Sequence, residues 1–225
     1  MKLPGATHLN IYVRSERAGK RVMVSMGRFI ERRLRLKVNR DKSAVARPEE
    51  RHFVGFRLRQ NRQNGEVEVL LSERSRKRID EKIRTLTPRN WGQSLATCVQ
   101  RLNAYLQGWM EFFRICTEAE ARTFATLSAH IRRRLRAIIL KHWNRRRTIV
   151  KRLIKLGVRP KTAWRHIYQA RRRTWALSHC PAVDRGLNNA YFAALGLINL
   201  HDDWERRQPH AIITVPEKQL CLSLG

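Results

Sequence analysis

Apolar residues recur every three or four positions over most of this chain, the spacing expected of helices with one buried side. Ser15 to Leu36 carries Val22, Met26, Phe29, Ile30 and Leu34 at that interval, with Ser15 placed to cap the helix. Ile79, Ile83 and Leu86 predict a second helix that stops at Pro88. Ser94 to Ile115 sets Leu95, Val99, Leu102, Leu106, Trp109 and Phe113 at alternating four- and three-residue steps, a packing seam for a bundle. A long helix is predicted from about Ala119 to Arg147. Its core face is Phe124, Leu127, Ile131, Leu135, Ile138 and His142, with Trp143 alongside. Basic helical segments follow on either side of a break at Gly157-Val158-Arg159-Pro160. Leu187 to Leu200 is poor in charge and is expected to dock back on the body, whereas residues 201–225 read as a tail.

Strand signals are confined to the first third. Leu9 to Val13 and Phe53 to Leu58 are short runs of strand formers, and Lys37 to Asn39 reads as a brief extended return before the polar turn Asn39 to Ser43. Asn64-Gly65, which tolerates positive backbone angles, separates the second run from Val67 to Leu70 and predicts a β-hairpin. The fold class expected is therefore α+β. A small piece with strands, one helix and a hairpin (1–72) precedes a mainly α-helical bundle (73–200) and a tail (201–225). A 42% hydrophobic content with six tryptophans is ample for a core, so wholesale disorder is excluded despite a formal net charge of +30.

The charge is unevenly placed. Between Glu120 and Asp184 there are 18 lysines and arginines and no acidic residue. Self-repulsion opposes compaction of a one-sign surface, so a polyanion is expected to supply the counter-charge, and nucleic acid is the leading partner. Arg132, Arg133, Arg134 and Arg136 lie where they could hold phosphates on adjacent sides of one helix. Lys141, Arg145, Arg146, Arg147, Lys151, Arg152, Arg165, Arg171, Arg172 and Arg173 extend the track. An anionic lipid surface is disfavoured because the arginines are spread over several helices, and no apolar run reaches the roughly 18 residues of a membrane span.

Other residue types carry less. Cys98, Cys116, Cys180 and Cys221 lie far apart, without a C-x-x-C pair, which argues against structural zinc and a disulfide framework and for a reduced, cytoplasmic setting. Met1 to His8 lacks the build of a secretory signal. The aromatic stripe Tyr105, Trp109, Phe112 and Phe113 is expected in the core, with Tyr105 or Trp164 serving as base-stacking residues if they face outward. His201-Asp202-Asp203 reads as solvated rather than metal-binding. Gly55, inside an apolar run, signals a bulge or a close backbone approach.

These blocks together resemble the group II intron reverse transcriptases. Leu9-Asn10-Ile11-Tyr12-Val13 with Arg14 to Gly19 resembles the palm segment just after the catalytic turn. Leu36-Lys37-Val38-Asn39 with Lys42-Ser43, and Phe53-Val54-Gly55-Phe56, resemble the next two palm blocks. Gly108-Trp109 with Phe112-Phe113, and the arginine-rich helix ending Lys141-His142-Trp143, resemble the thumb or maturase-specific region. Asn189-Ala190-Tyr191-Phe192 and Gly196-Leu197 resemble its closing segment. The order and spacing are family-like to about Leu200. The resemblance implies the end of a palm, with Asn39, Lys42 and Gly55 as its remnants, followed by a thumb/maturase bundle.

One departure bears on activity. Where the family has Tyr-Ala-Asp-Asp, this sequence reads Gly5-Ala6-Thr7-His8, and the earlier palm strand with its own aspartate would lie upstream of Met1. Magnesium-dependent phosphoryl transfer needs clustered carboxylates, which Thr7 and His8 cannot replace, so polymerase activity by this chain alone is not expected. The resemblance instead implies a maturase-type fragment that binds structured group II intron RNA and assists splicing, with an RNA–DNA duplex as a further ligand. No catalytic residue, protein-bound metal or cofactor is expected, and Mg2+ would belong to the RNA or to a complete polymerase site. Two alternatives stay open: half of a split polymerase that needs a separate fingers/palm polypeptide, and a generic RNA-binding protein.

Overall fold

Three serines open helices in the first half of the chain. The computed structural model describes residues 9–51, 53–61, 63–88, 92, 94–169 and 173–208. Ser15, Ser72 and Ser94 each accept a backbone N–H three residues on at 3.2 Å, capping α1 (Glu16–Arg32), α2 (Glu73–Leu86) and α3 (Leu95–Phe113). Between α1 and α2 lies the expected antiparallel hairpin, β1 (Phe56–Gln60) and β2 (Val67–Leu71), with Phe56 opposite Leu71 and Gln60 opposite Val67.

The hairpin begins later than the apolar run Phe53 to Leu58 predicts. Val54 (φ 49) and Gly55 (φ 89) both have left-handed backbone, and Phe53 and Phe56 exchange backbone hydrogen bonds of 2.9 and 2.8 Å across them. The Gly55 carbonyl accepts the Ser72 N–H at 2.9 Å and the Ser75 hydroxyl at 2.8 Å. A Cβ on Gly55 would stand 3.0 Å from Ser75 Oγ, so the close approach expected at this glycine is real. Leu9 to Val13 and Lys37 to Asn39 form no strand; among the described residues the sheet is β1 and β2 alone. Strand-forming side chains need an edge to pair with, and Leu9, Tyr12 and Val13 stay exposed.

The centre of the helical part is α4 (Ala121–Trp143), followed by α5 (Arg146–Lys155), α6 (Pro160–Gln169), α7 (Thr174–Leu177), α8 (Pro181–Gly186), α9 (Asn189–Ala194) and α10 (Leu200–Arg207). α4 packs against α5, α7 and α10, and from Leu135 to Leu140 it is buried all round. The single helix predicted over Ala119 to Arg147 is therefore two, parted at Asn144 (φ 56), whose N–H bonds to Leu140 O at 3.0 Å. His142, predicted on the core face, is exposed. The last turn packs through Trp143 instead, under the Arg152 guanidinium at 5.4 Å.

In α3 the buried line runs through Cys98, Val99, Leu102, Leu106, Met110 and Phe113, and Trp109 is only half-buried. An untwisted helix of 3.6 residues per turn drifts from a heptad seam, which brings Met110 inward at Trp109's expense. The predicted break after α5 is present: Gly157 (φ 86) reverses the chain, Val158 is buried and Pro160 opens α6.

The closing segment docks as its composition predicts. Asn103 on α3 donates to Gly196 O at 2.6 Å and accepts the Ile198 N–H at 3.1 Å, and Ser128 on α4 accepts the Leu200 N–H at 3.0 Å. The tail expected from residue 201 begins instead as α10. Its polar sequence conceals a short buried face: Trp204 donates from Nε1 to Cys116 O at 3.1 Å, with its ring 5.6 Å from Phe124. Residues 209–225, Cys221 among them, lie outside the described residues.

Candidate nucleic-acid interface

Four arginines cluster on α4, and the fold uses them largely for its own assembly. Arg136 is 9% exposed; it donates from Nε to Leu187 O at 2.9 Å and from Nη1 to the Asp184 carboxylate. Burial lowers its pKa, while Asp184 opposes that and keeps the guanidinium charged. Arg134 caps the end of α2, donating to Thr87 Oγ1 at 2.5 Å, Thr87 O at 2.7 Å and Arg84 O at 3.2 Å. Arg133 lies over the Trp175 ring at 4.2 Å, which ties α4 to α7. Arg132 is half-buried; burial and neighbouring Arg136 lower its pKa, with Asp202 opposing. Arg136, expected from the sequence to hold phosphate, is instead largely buried here as a strut between α4 and α8, with its charge facing Asp184. Residue spacing cannot separate such a strut from a surface cation, because Asp184 is 48 residues away.

The exposed cations lie further along. Lys141 and Arg145 flank the end of α4, Arg147, Lys151 and Arg152 project from α5, and Arg165 projects from α6. Arg146 is half-buried, its guanidinium 5.6 Å from the Tyr168 ring centre and bonded to Tyr168 O at 3.3 Å. Lys155, Arg159 and Lys161, which the sequence reading did not single out, are exposed on the same three-element run. The acid-free stretch itself was the signal that could have found them. Arg173 is exposed, and Arg171 and Arg172 lie outside the described residues. The arrangement gives α5, α6 and the end of α4 a cationic surface suited to a phosphate backbone.

Residues 76–154 match the family described as Group II intron, maturase-specific domain. That span runs from the first turn of α2 to the last turn of α5, so it holds nearly all of α2, the whole of α3 and α4, and the first part of the cationic surface. It supports a group II intron maturase C-terminal region in this part of the chain. Among curated proteins nothing matches.

Asn39 Oδ1 accepts the Lys42 N–H at 3.2 Å and Asn39 O accepts the Ser43 hydroxyl at 2.8 Å, making a self-contained turn with Lys42 exposed. Gly5 to His8 lie outside the described residues and contain no carboxylate, so no metal-assisted step is derived from them. His201, Asp202 and Glu205 bring one ligand atom each within 4.8 Å of one another, with His201 half-buried and the two carboxylates exposed on the helix surface. Asp203 instead turns inward to Arg207 at 3.0 Å. In the aromatic stripe Phe113 is buried as predicted, Tyr105 and Trp109 are half-buried, and Phe112 is 48% exposed, stacked on Phe56 at 5.3 Å. Burial pushes the Cys98 thiol up to about 11 and the Cys116 thiol up to about 12, which makes both inert packing residues.

Among the described residues no helix is long and apolar enough to cross a membrane.

Proposed function

We propose that this protein binds structured group II intron RNA and assists its folding into a splicing-competent form. The cationic surface of α5, α6 and the end of α4 clamps the RNA backbone. One observation carries the reading: from Ala121 to Val183 the sequence presents lysines and arginines and not one acid, a one-sign stretch that favours a polyanionic partner. The maturase-specific match over residues 76–154 supports intron RNA as that partner. Recognition is of backbone and shape, since guanidinium and ammonium groups read phosphate position rather than base edges. An RNA–DNA duplex, also a regular phosphate array, fits the same surface. The protein contributes no cofactor; Mg2+ belongs to the folded RNA. Binding to a group II intron core is compared with binding to unrelated structured RNA of equal length at raised salt, alongside intron splicing at limiting Mg2+. Preferential binding with faster splicing supports the reading, and equal binding with unchanged splicing leaves only a generic RNA-binding protein.

A second reading rests on a separate observation. Val24, Phe29, Leu34 and Leu36 on and after α1, with Phe53 and Ile115, are all exposed large apolar residues. Half of a split polymerase that docks on a fingers/palm polypeptide would cover exposed apolar residues of this kind. Primer extension by the two polypeptides mixed, and by neither alone, is the outcome that reading requires.

A further inference from the structure

The helix α6 lies beyond the maturase-specific match and carries two aromatic rings that the core does not use. Its inward face is Ala163 and Ile167, both fully buried. One position on from each, Trp164 and Tyr168 are 45% and 42% exposed. Their rings are stacked, with centroids 5.0 Å apart and planes 21° from parallel. The helical repeat that aligns these two rings also brings Lys161 and Arg165 to the same side, both exposed. From α5, the Arg146 guanidinium reaches to 5.6 Å from the Tyr168 centroid and holds the Tyr168 carbonyl at 3.3 Å. Two flat rings, already stacked and anchored to a buried helix face, stand among cations in the acid-free stretch.

We propose that the Trp164–Tyr168 pair is a stacking platform for unpaired RNA bases. The flanking Lys161, Arg165 and Arg146 hold the phosphates on either side of the stacked nucleotide. This rests on the RNA-binding reading above and adds a preference for single-stranded segments that phosphate contacts alone do not give. Every base has a π-face, so the platform accepts any base and discriminates paired from unpaired nucleotides rather than sequence. A protein partner fits less well, because the positive surround calls for regularly spaced negative charge next to each planar group, as a single strand provides.

The test uses the full chain and two RNA probes: a blunt RNA duplex, and the same duplex with a single-stranded oligoadenylate overhang, at one fixed salt concentration. Trp164→Ala is expected to lose about tenfold in affinity for the overhang probe and to bind the blunt duplex as before. Tyr168→Leu is expected to do the same, while Trp164→Phe keeps the platform and the affinity. Thermal melting of each variant establishes that it is folded. Equal losses on both probes, or no loss on either, overturn the platform while leaving RNA binding intact. Failure of the unmodified protein to bind either probe removes the RNA reading itself, and the platform with it. A dimer that Trp164→Ala converts to monomer assigns the pair to contact with a second copy of the chain and likewise overturns the proposal.

Discussion

Arg136 on α4 and Asp184 on α8 form an ion pair that joins the first third of the acid-free stretch to the first acid after it. Arg136 also donates to Leu187 O at 2.9 Å, so one guanidinium fixes both the helix α8 and the turn that follows it. Removing either partner leaves the other buried or half-buried without its counter-charge. Asp184 is 37% exposed, so the loss is discounted below that of a fully buried pair. Arg136→Met and Asp184→Asn are each expected to destabilise the fold by about 2 kcal/mol in urea unfolding. RNA affinity per folded molecule should stay unchanged, because the Arg136 charge is internal. A large affinity loss in folded Arg136→Met would return this residue to the interface.

The exposed set behaves differently. If α5, α6 and the end of α4 contact about 6 phosphates of single-stranded RNA, log K falls with log salt at a slope near about −4. Arg147→Glu or Lys151→Glu should weaken binding to all sequences alike and make that slope shallower by about 1, with melting unchanged. Arg134→Glu should instead show itself first as lost stability, since Arg134 closes the end of α2 through Thr87 and Arg84. Filter binding across a salt series separates the two. A slope near zero would contradict an electrostatic clamp.

Tryptophans divide by what their rings touch. Trp204 is 5% exposed, packs on Phe124 and donates to Cys116 O at 3.1 Å. Trp109 is half-buried against Phe113 at 4.6 Å. Trp204→Ala is expected to cost about 3–5 kcal/mol and Trp109→Ala roughly half as much, measured by chemical denaturation. The reverse order would mean that α10 is not seated as described.

That contrast marks what could be read from residue order. Helix caps at Ser15, Ser72 and Ser94 are local chemistry, decided within three residues, and the hairpin at Asn64-Gly65 is equally local; the Ser15 cap and the turn were legible in advance, whereas Ser94 was legible only as the start of a periodic segment. The buried side of α3 was legible to within one position. Long-range pairings were not. Nothing near Arg136 in the sequence points to Asp184 or Leu187, and nothing near Ser128 points to Leu200. α10 was missed because Leu200 and Trp204 alone make its apolar face, too few for a periodic signal. The strand expected at Leu9 to Val13 failed for the opposite reason: composition favoured it, but pairing needs a neighbour that no local pattern supplies.

His130 gives the fold a pH response of definite sign. Its ring sits half-buried between α2 and α7, with Nε2 3.3 Å from Asp80 Oδ1 and the Trp175 ring 6.3 Å away. Burial lowers its pKa; Asp80 opposes that, and Arg134, Arg84 and Arg133 add to the lowering. The native state therefore holds the imidazole neutral at a pH where the unfolded chain has begun to bind a proton. Between the ordinary histidine value, about 6.5, and the lower native one, unfolding takes up a proton, so stability falls as the pH falls. Above that window the contribution is fully present. Urea midpoints taken through mildly acidic pH should decline, by no more than the single-proton limit of about 1.4 kcal/mol per pH unit for this group. His130→Gln should flatten the decline while retaining a polar group toward Asp80. If the variant's profile follows the unmodified protein's throughout, the proton uptake belongs to another residue.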